Sequence, residues 1–198
     1  MIRFPRIPRI PRIPRLPCFP CFLGPSPLPD PLGTRVTERL VLKPIGPAHA
    51  DDLWHLHRDP GVARWYGGTW SRGEAWESAL YMERAWASEG VHKWIAHDRE
   101  SGTLVGRGGL SYAEVDGARR LEIGWAVLER FWGLGYASEI GRAGLDLAFG
   151  DLRAEEVASF TETRNLRSRA VMERLGFHYA REIRHGGEPF VLYLIQRP

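Results

Sequence analysis

The sequence predicts a mixed α/β domain from residue 36 onward, and three observations carry that prediction. Short runs alternate apolar with polar residues, as half-buried strands do. Longer stretches space their apolar residues at helical intervals, and helix caps or tight-turn residues fall between the two kinds. Glu38 to Ile45 (ERLVLKPI) alternates and reads as the opening strand. Pro47, Asp51 and Asp52 then open a helix carrying Leu53, Trp54, Leu56 and His57, because proline and acids both suit a first helical turn. Ser71 and Glu74 form a capping-box pair ahead of a second helix with Trp76, Leu80, Tyr81 and Trp86. Three strand-like runs follow, His92 to His97, Thr103 to Tyr112 and Arg119 to Leu128, the last two joined by an Asp116-Gly117 turn. A helix from about Gly135 to Phe149 is expected to stop on Gly150, in the left-handed conformation that glycine tolerates. Glu156 to Thr161 reads as a strand, Leu166 to Leu175 as a helix ending at Gly176, and Phe177 to Ile183 and Pro189 to Gln196 as closing strands. The roughly 165 residues of this unit bury about 70% of the unfolded surface, enough for one solid core.

Residues 1 to 35 are of another kind. Arg3, Arg6, Arg9, Arg12 and Arg15 recur at every third position, and ten of the fifteen prolines lie in this stretch. Proline removes backbone donors and fixes φ, so neither helix nor sheet is open to it. A disordered, Arg/Pro-rich low-complexity tail is expected, locally in polyproline II, whose three-residue turn aligns the arginines along one edge. Structured sequence begins abruptly near Val36, so a start of translation later than Met1 is a further expectation; an intact Met1 on the native protein would end it.

The tail also explains the charge. The chain carries a formal +3, but five arginines against one aspartate put +4 in the first 33 residues, leaving about −1 for the rest. The core domain therefore offers no bulk argument for nucleic acid. Both cysteines, Cys18 and Cys21, lie in the tail. A single CxxC is half a zinc site, and no second pair completes it. A cysteine-free core suits the reducing cytoplasm, the expected location. No apolar run approaches the ~20 residues that span a bilayer.

The informative segment is Glu122 to Ala137 (EIGWAVLERFWGLGYA), a strand running into a glycine loop and at once into a helix. Glycine lets the backbone approach a ligand closely. Unpaired N–H groups and the helix dipole make such a turn an anion site suited to a pyrophosphate, and Arg130 is placed to add a charge-assisted contact. Gly133, Gly135 and Ser138 imitate a dinucleotide fingerprint, but its third glycine is missing. Glu155 and Glu156 precede the next strand, at the wrong end for a ribose.

RFWGLGYA is similar to the RxxGxG/A signature of the GCN5-related N-acetyltransferases (GNAT). Asn165 to Phe177 (NLRSRAVMERLGF) and Thr37 to Pro44 (TERLVLKP) resemble stretches of the RimJ/RimL-like ribosomal-protein branch of that superfamily. The resemblance implies the acyl-CoA N-acyltransferase fold: a mixed, mostly antiparallel sheet splayed at its middle and flanked by about four helices. It implies acetyl-coenzyme A (acetyl-CoA) as cosubstrate, no metal, and direct attack on the thioester by a primary amine, either a protein N-terminus or a small molecule. On this resemblance Trp125, Ala126 and Val127 line the pantetheine arm with their backbones bonding its amides. Phe131, Trp132, Gly133, Leu134, Gly135, Tyr136 and Ala137 hold the pyrophosphate with Arg130, and Asn165 and Ser168 meet the cofactor near its reactive end. Trp65, Tyr66 and Trp70 wall the acceptor, and a homodimer is an admissible assembly.

Glu122 is the carboxylate best placed to draw a proton from the amine through water, since strand alternation sets it on the face of Gly124 and Ala126; a pairing with Arg119 is the competing reading. Relatives place a tyrosine seven residues after the motif asparagine to protonate the thiolate. Here that position is Met172, so Ser168 is the expected donor, with Tyr136 and Tyr179 behind it. The missing tyrosine also keeps open an alternative, an acyl-CoA sensor of the same fold without turnover. His55 and His57, and His92 and His97, have poor spacing for a metal.

Overall fold

The computed structural model describes residues 33–115 and 117–198, so the expectations for most of the tail, for Cys18 and Cys21 and for Asp116 lie outside the described residues. Eight strands form one sheet: β1 (Arg35–Val36), β2 (Leu40–Pro44), β3 (Lys93–Asp98), β4 (Leu104–Val115), β5 (Ala118–Val127), β6 (Glu156–Glu162), β7 (His178–His185) and β8 (Glu188–Gln196), in the order β1-β2-β3-β4-β5-β6-β8-β7. Arg35, expected in the tail, pairs with Leu42. The long β4–β5 hairpin stays in register from Gly106↔Val127 to Val115↔Ala118. Every neighbouring pair is antiparallel except β5 and β6, which are parallel and meet at one position, Glu122↔Ala158. That parallel step needs a crossover, which α4 (Tyr136–Asp146) provides.

Two layers of helix close the sheet. On one face α4 sets Ile140, Ala143 and Leu147 of its following turn into a core with Trp94, Ile123 and Val127. On the other, α1 (Ala50–Leu56) and α3 (Arg72–Glu89) bury Leu53, Ala75, Ala79 and Met82 against Ile45 and Ile95. The capping box is formed: Glu74 N–H donates to Ser71 Oγ (3.2 Å) and Ser71 N–H to Glu74 Oε2 (2.7 Å). Among the described residues there are five α-helices, in keeping with the about four expected; they include the single turn α2 (Pro60–Ala63), and α5 (Leu166–Arg174) follows β6.

One helix end differs from expectation. After Asp146 the chain widens into a π-helical turn, Leu147–Asp151, so Gly150 lies inside that turn and is not a left-handed cap. Leu152 N–H donates to Leu147 C=O and Ala154 N–H to Ala148 C=O, satisfying the carbonyls that a glycine cap would otherwise serve.

Two histidines are buried beside α1 and α3. His57 is wholly buried, stacks on Trp70 (3.4 Å between ring centres, 2° between planes) and accepts from Arg107 Nε at 3.2 Å. Burial, and then the Arg107 charge, push its pKa down to about 2. His92 is pushed to about 3 by burial and then by Lys93 and Arg107. Both stay neutral in the fold while the unfolded chain takes up protons below about pH 6.5. Stability is therefore expected to fall as pH drops below that value, by about 1.4 kcal/mol per histidine at about pH 5.5. Urea unfolding at about pH 7 and about pH 5.5 measures this; equal stability would mean the rings are protonated in the native state.

Candidate active site

The sheet opens immediately beyond Glu122↔Ala158. Ser159 Oγ on β6 still reaches Ile123 C=O on β5 (2.9 Å), and after that the strands part. The carbonyls of β5 show which backbone groups face the gap. Those of Gly124 and Ala126 turn toward β4, lying 2.9 Å and 2.2 Å from where a Cβ on Gly108 or Gly106 would sit. Those of Ile123 and Val127 turn the other way, to Ser159 Oγ and to the Trp132 indole N–H (2.7 Å). Backbone direction alternates along a strand, so the N–H and C=O of Trp125 point into the gap, where β6 no longer pairs with them. Of the three residues expected to bond a pantetheine arm through the backbone, Ala126 gives its carbonyl to β4, and the Val127 carbonyl is taken by Trp132.

The gap leads to the glycine loop. After β5 a 3-10 turn, Glu129–Phe131, delivers Gly133 (φ +80°) and Gly135 (φ +86°), both in the left-handed region. Gly135 is the N-cap of α4 and supplies no side-chain cap, so the first amides of that helix are free to face an anion. From beneath, α2 packs directly on the loop: a Cβ on Gly61 would lie 2.7 Å from Glu129 Cβ and 2.8 Å from the Trp132 ring. Asp59 joins the two, accepting from Val62 N–H (3.1 Å) to cap α2 and from Glu129 N–H (3.3 Å).

Gap, loop and helix start share one cleft of about 1120 Å³. Its wall brings together Trp125, Ala126, Val127, Phe131, Trp132, Gly133, Gly135, Tyr136 and Ala137 with Glu122, Asn165, Ser168, Trp65 and Tyr66. Three expected residues are not on it. Arg130 lies against its neighbour Phe131 (4.8 Å to the ring centre) and lines a separate, smaller depression with Asp52 and Asp59. The Leu134 side chain is exposed. Trp70 is committed to the His57 stack and to the α1–α3 core, so its aromatic surface serves packing.

Glu122 is buried in the cleft wall and held by a group the spacing did not suggest. Lys93 Nζ donates to its Oε2 at 2.7 Å and to Gly109 C=O at 2.7 Å, and Ser111 Oγ donates to the same Oε2 at 3.1 Å. Arg119 pairs instead with Glu89 (2.8 Å). Burial works to lower the pKa of Lys93, and the Glu122 carboxylate opposes it. The second oxygen, Oε1, has no donor among the described residues; it lies over Gly124, 2.7 Å from where a Cβ would be. The carboxylate thus has one oxygen anchored and one presented beside the gap. Lysine in a run reading HKWIAH was the available signal, a long cation on a strand whose neighbours Trp94, Ile95 and Ala96 are fully buried.

On the far wall, Asn165 caps α5: its Oδ1 accepts from Ser168 N–H (3.2 Å) and its Nδ2 donates to Thr161 Oγ1 (3.0 Å). Both polar ends are therefore engaged within the protein. Met172 is buried at the cleft wall, Tyr136 lines the cleft, and Tyr179 is exposed and packs on Tyr193. The β7–β8 hairpin adds His185, which no spacing had singled out, packed against Phe160 (4.8 Å) and Phe190 (5.3 Å) on the cleft wall. Burial lowers its pKa and the Glu122 charge opposes that shift.

Comparison with known proteins gives the family and the fold. The family model of the acetyltransferase (GNAT) domain matches residues 39–178. The uncharacterized protein YkkB of Bacillus subtilis is 31% identical over 159 residues, 80% of this chain and 92% of its own length. The FsC-acetyl coenzyme A-N(2)-transacetylase of Aspergillus fumigatus is 32% identical over 149 residues, 71% of this chain and 63% of its own. Among solved structures, an acetyltransferase from Agrobacterium tumefaciens superposes with a TM-score of 0.71 at 26% identity, covering 87% of this chain and 99% of that one.

Proposed function

Because the chain belongs to the GNAT acetyltransferase family, we propose that it is an N-acetyltransferase of the RimJ/RimL-like branch, which takes acetyl-CoA into the cleft between β5 and β6 and passes the acetyl group to a primary amine. The observation that carries this reading is the unpaired backbone edge at Trp125. It opens in the same cleft as the glycine loop at the start of α4 and the buried carboxylate of Glu122. The residues fit the group: the edge offers one donor and one acceptor to an arm rich in amides, and the loop offers uncapped amides to a diphosphate.

Acetyl-CoA supplies an activated thioester, so the chain need only position, deprotonate and stabilise. The amides of Gly133 and of Gly135 to Ala137, with the helix dipole, hold negative charge at the loop, while those of Trp132 and Leu134 donate to Glu129 and Phe131. Trp125 aligns the arm, and a β5 N–H facing the gap receives the developing oxyanion. Glu122 Oε1 accepts the amine proton through water, while Lys93 and Ser111 keep the other oxygen fixed. Ser168, held on the first turn of α5 by Asn165, is the hydroxyl at hand for the leaving thiolate. Trp65 and Tyr66 form the acceptor wall. Residues 36–198 form the catalytic unit, and a cysteine-free core suits it to the cytoplasm.

Thiol release from acetyl-CoA with a panel of amines, including peptide N-termini and small polyamines, tests the proposal. Turnover by the wild-type protein, lost in a Glu122→Gln and Ser168→Ala double variant, is expected. Tight coenzyme A binding without turnover on any amine would favour a sensor, a reading that Met172 in the tyrosine position supports. Absence of both turnover and binding would overturn the cofactor site itself.

A further inference from the structure

The glycine loop is tied to the opening of the chain by a single arginine. Arg39, between β1 and β2, donates Nε–H to Glu139 Oε2 (2.8 Å) and Nη1–H to Leu134 C=O (2.9 Å), and its backbone N–H reaches Glu139 Oε1 (2.8 Å). Its guanidinium lies over the Tyr136 ring, 4.3 Å from the centre, and a Cβ on Gly135 would sit 3.4 Å from Nη2. Thr37 Oγ completes the shell on Glu139 at 2.6 Å. One side chain thus touches the loop's backbone, its aromatic ring and the first turn of α4.

Glu139 makes this more than a brace. It is a buried carboxylate in the first turn of the helix whose start is read as the diphosphate site. A carboxylate there suits the helix dipole, but its charge opposes a bound diphosphate unless a cation cancels it. We propose that Arg39 is the positioning residue of the cofactor loop, holding Leu134 to Tyr136 in place and neutralising Glu139 so that the start of α4 is open to a diphosphate. This rests on the acetyl-CoA reading above and adds to it a contact some hundred residues away in sequence.

Calorimetry with coenzyme A distinguishes this role from plain structural support. Arg39→Ala is expected to weaken binding about tenfold, and adding Glu139→Gln is expected to return much of that loss, because the unpaired charge is then gone. A purely structural arginine gives no such recovery: the double variant has lost every contact of the pair. Arg39→Ala binding as tightly as the wild type, or a double variant as weak as Arg39→Ala, overturns the inference. Should Arg39→Ala not fold, Glu139→Gln alone decides: tighter binding is expected, and unchanged or weaker binding contradicts it. A wild-type protein that does not bind coenzyme A would refute the cofactor site instead, and so is told apart from failure of this step.

Discussion

Glu122→Gln is expected to lower kcat for amine acetylation by about 10²- to 10⁴-fold, the usual worth of a positioned base, while coenzyme A affinity changes little. The substitution keeps the shape of the side chain but removes its ability to take a proton. It also strips Lys93 of its partner, and Lys93 is buried. Breaking one side of such a pair costs about 3 to 5 kcal/mol, so a fall in melting temperature will accompany the loss of rate. The two effects separate in a Lys93→Met and Glu122→Gln double variant, which removes the orphaned charge. That protein should regain stability and stay inactive. If it regains activity as well, Glu122 serves the fold only. Gly124→Ala approaches the same site from the other direction, since its methyl group would fall 2.7 Å from Glu122 Oε1 and drive the free oxygen from the gap. The rate should fall there with the ion pair intact.

Gly135→Asp is expected to weaken coenzyme A binding by about 100-fold or more. Two causes act together. At φ +86° any side chain is strained, at about 1 to 3 kcal/mol, and relief of that strain moves the α4 N-cap. The new carboxylate would also stand at the amides meant for the diphosphate and within reach of Arg39, 3.4 Å from the Cβ position. Gly135→Ala tests strain alone and should show the smaller loss. Calorimetry on both variants, with thermal melts to show the fold persists, gives the answer; unchanged affinity in the aspartate variant would place the diphosphate elsewhere.

Much of the architecture was readable in the chain because it is written in local periodicity. The alternation of β2, the Ser71–Glu74 box and Gly176 after α5 are each set by residues within a few positions of one another. The four-residue α2 escaped notice because one turn leaves no periodicity, although Asp59-Pro60 is a fair cap and first-turn pair. The π-helical turn after α4 escaped because its reason is tertiary: Leu147 and Ala148 are drawn into the core and the backbone widens to follow them.

The site was readable where it is contiguous and obscure where it is assembled. Glu122 to Ala137 forms one strand-loop-helix unit, and most of it reaches the cleft. Lys93 on β3, Arg39 just before β2 and His185 on β7 come from three other parts of the chain, and only the sheet order brings them near. Trp70 looked like pocket wall from its aromatic neighbours Trp65 and Tyr66, yet its ring is claimed by His57 on α1's far end. Arg130 matched a motif position, but the 3-10 turn of Glu129–Phe131 carries it to the other side of the loop.

The most direct measurement is a crystal structure of the protein with acetyl-CoA bound. The account predicts a diphosphate on the amides of Gly133 and of Gly135 to Ala137, an arm hydrogen-bonded to Trp125, and a thioester emerging beside Glu122. A cofactor bound on another face, or a gap between β5 and β6 that stays closed to it, would contradict the account.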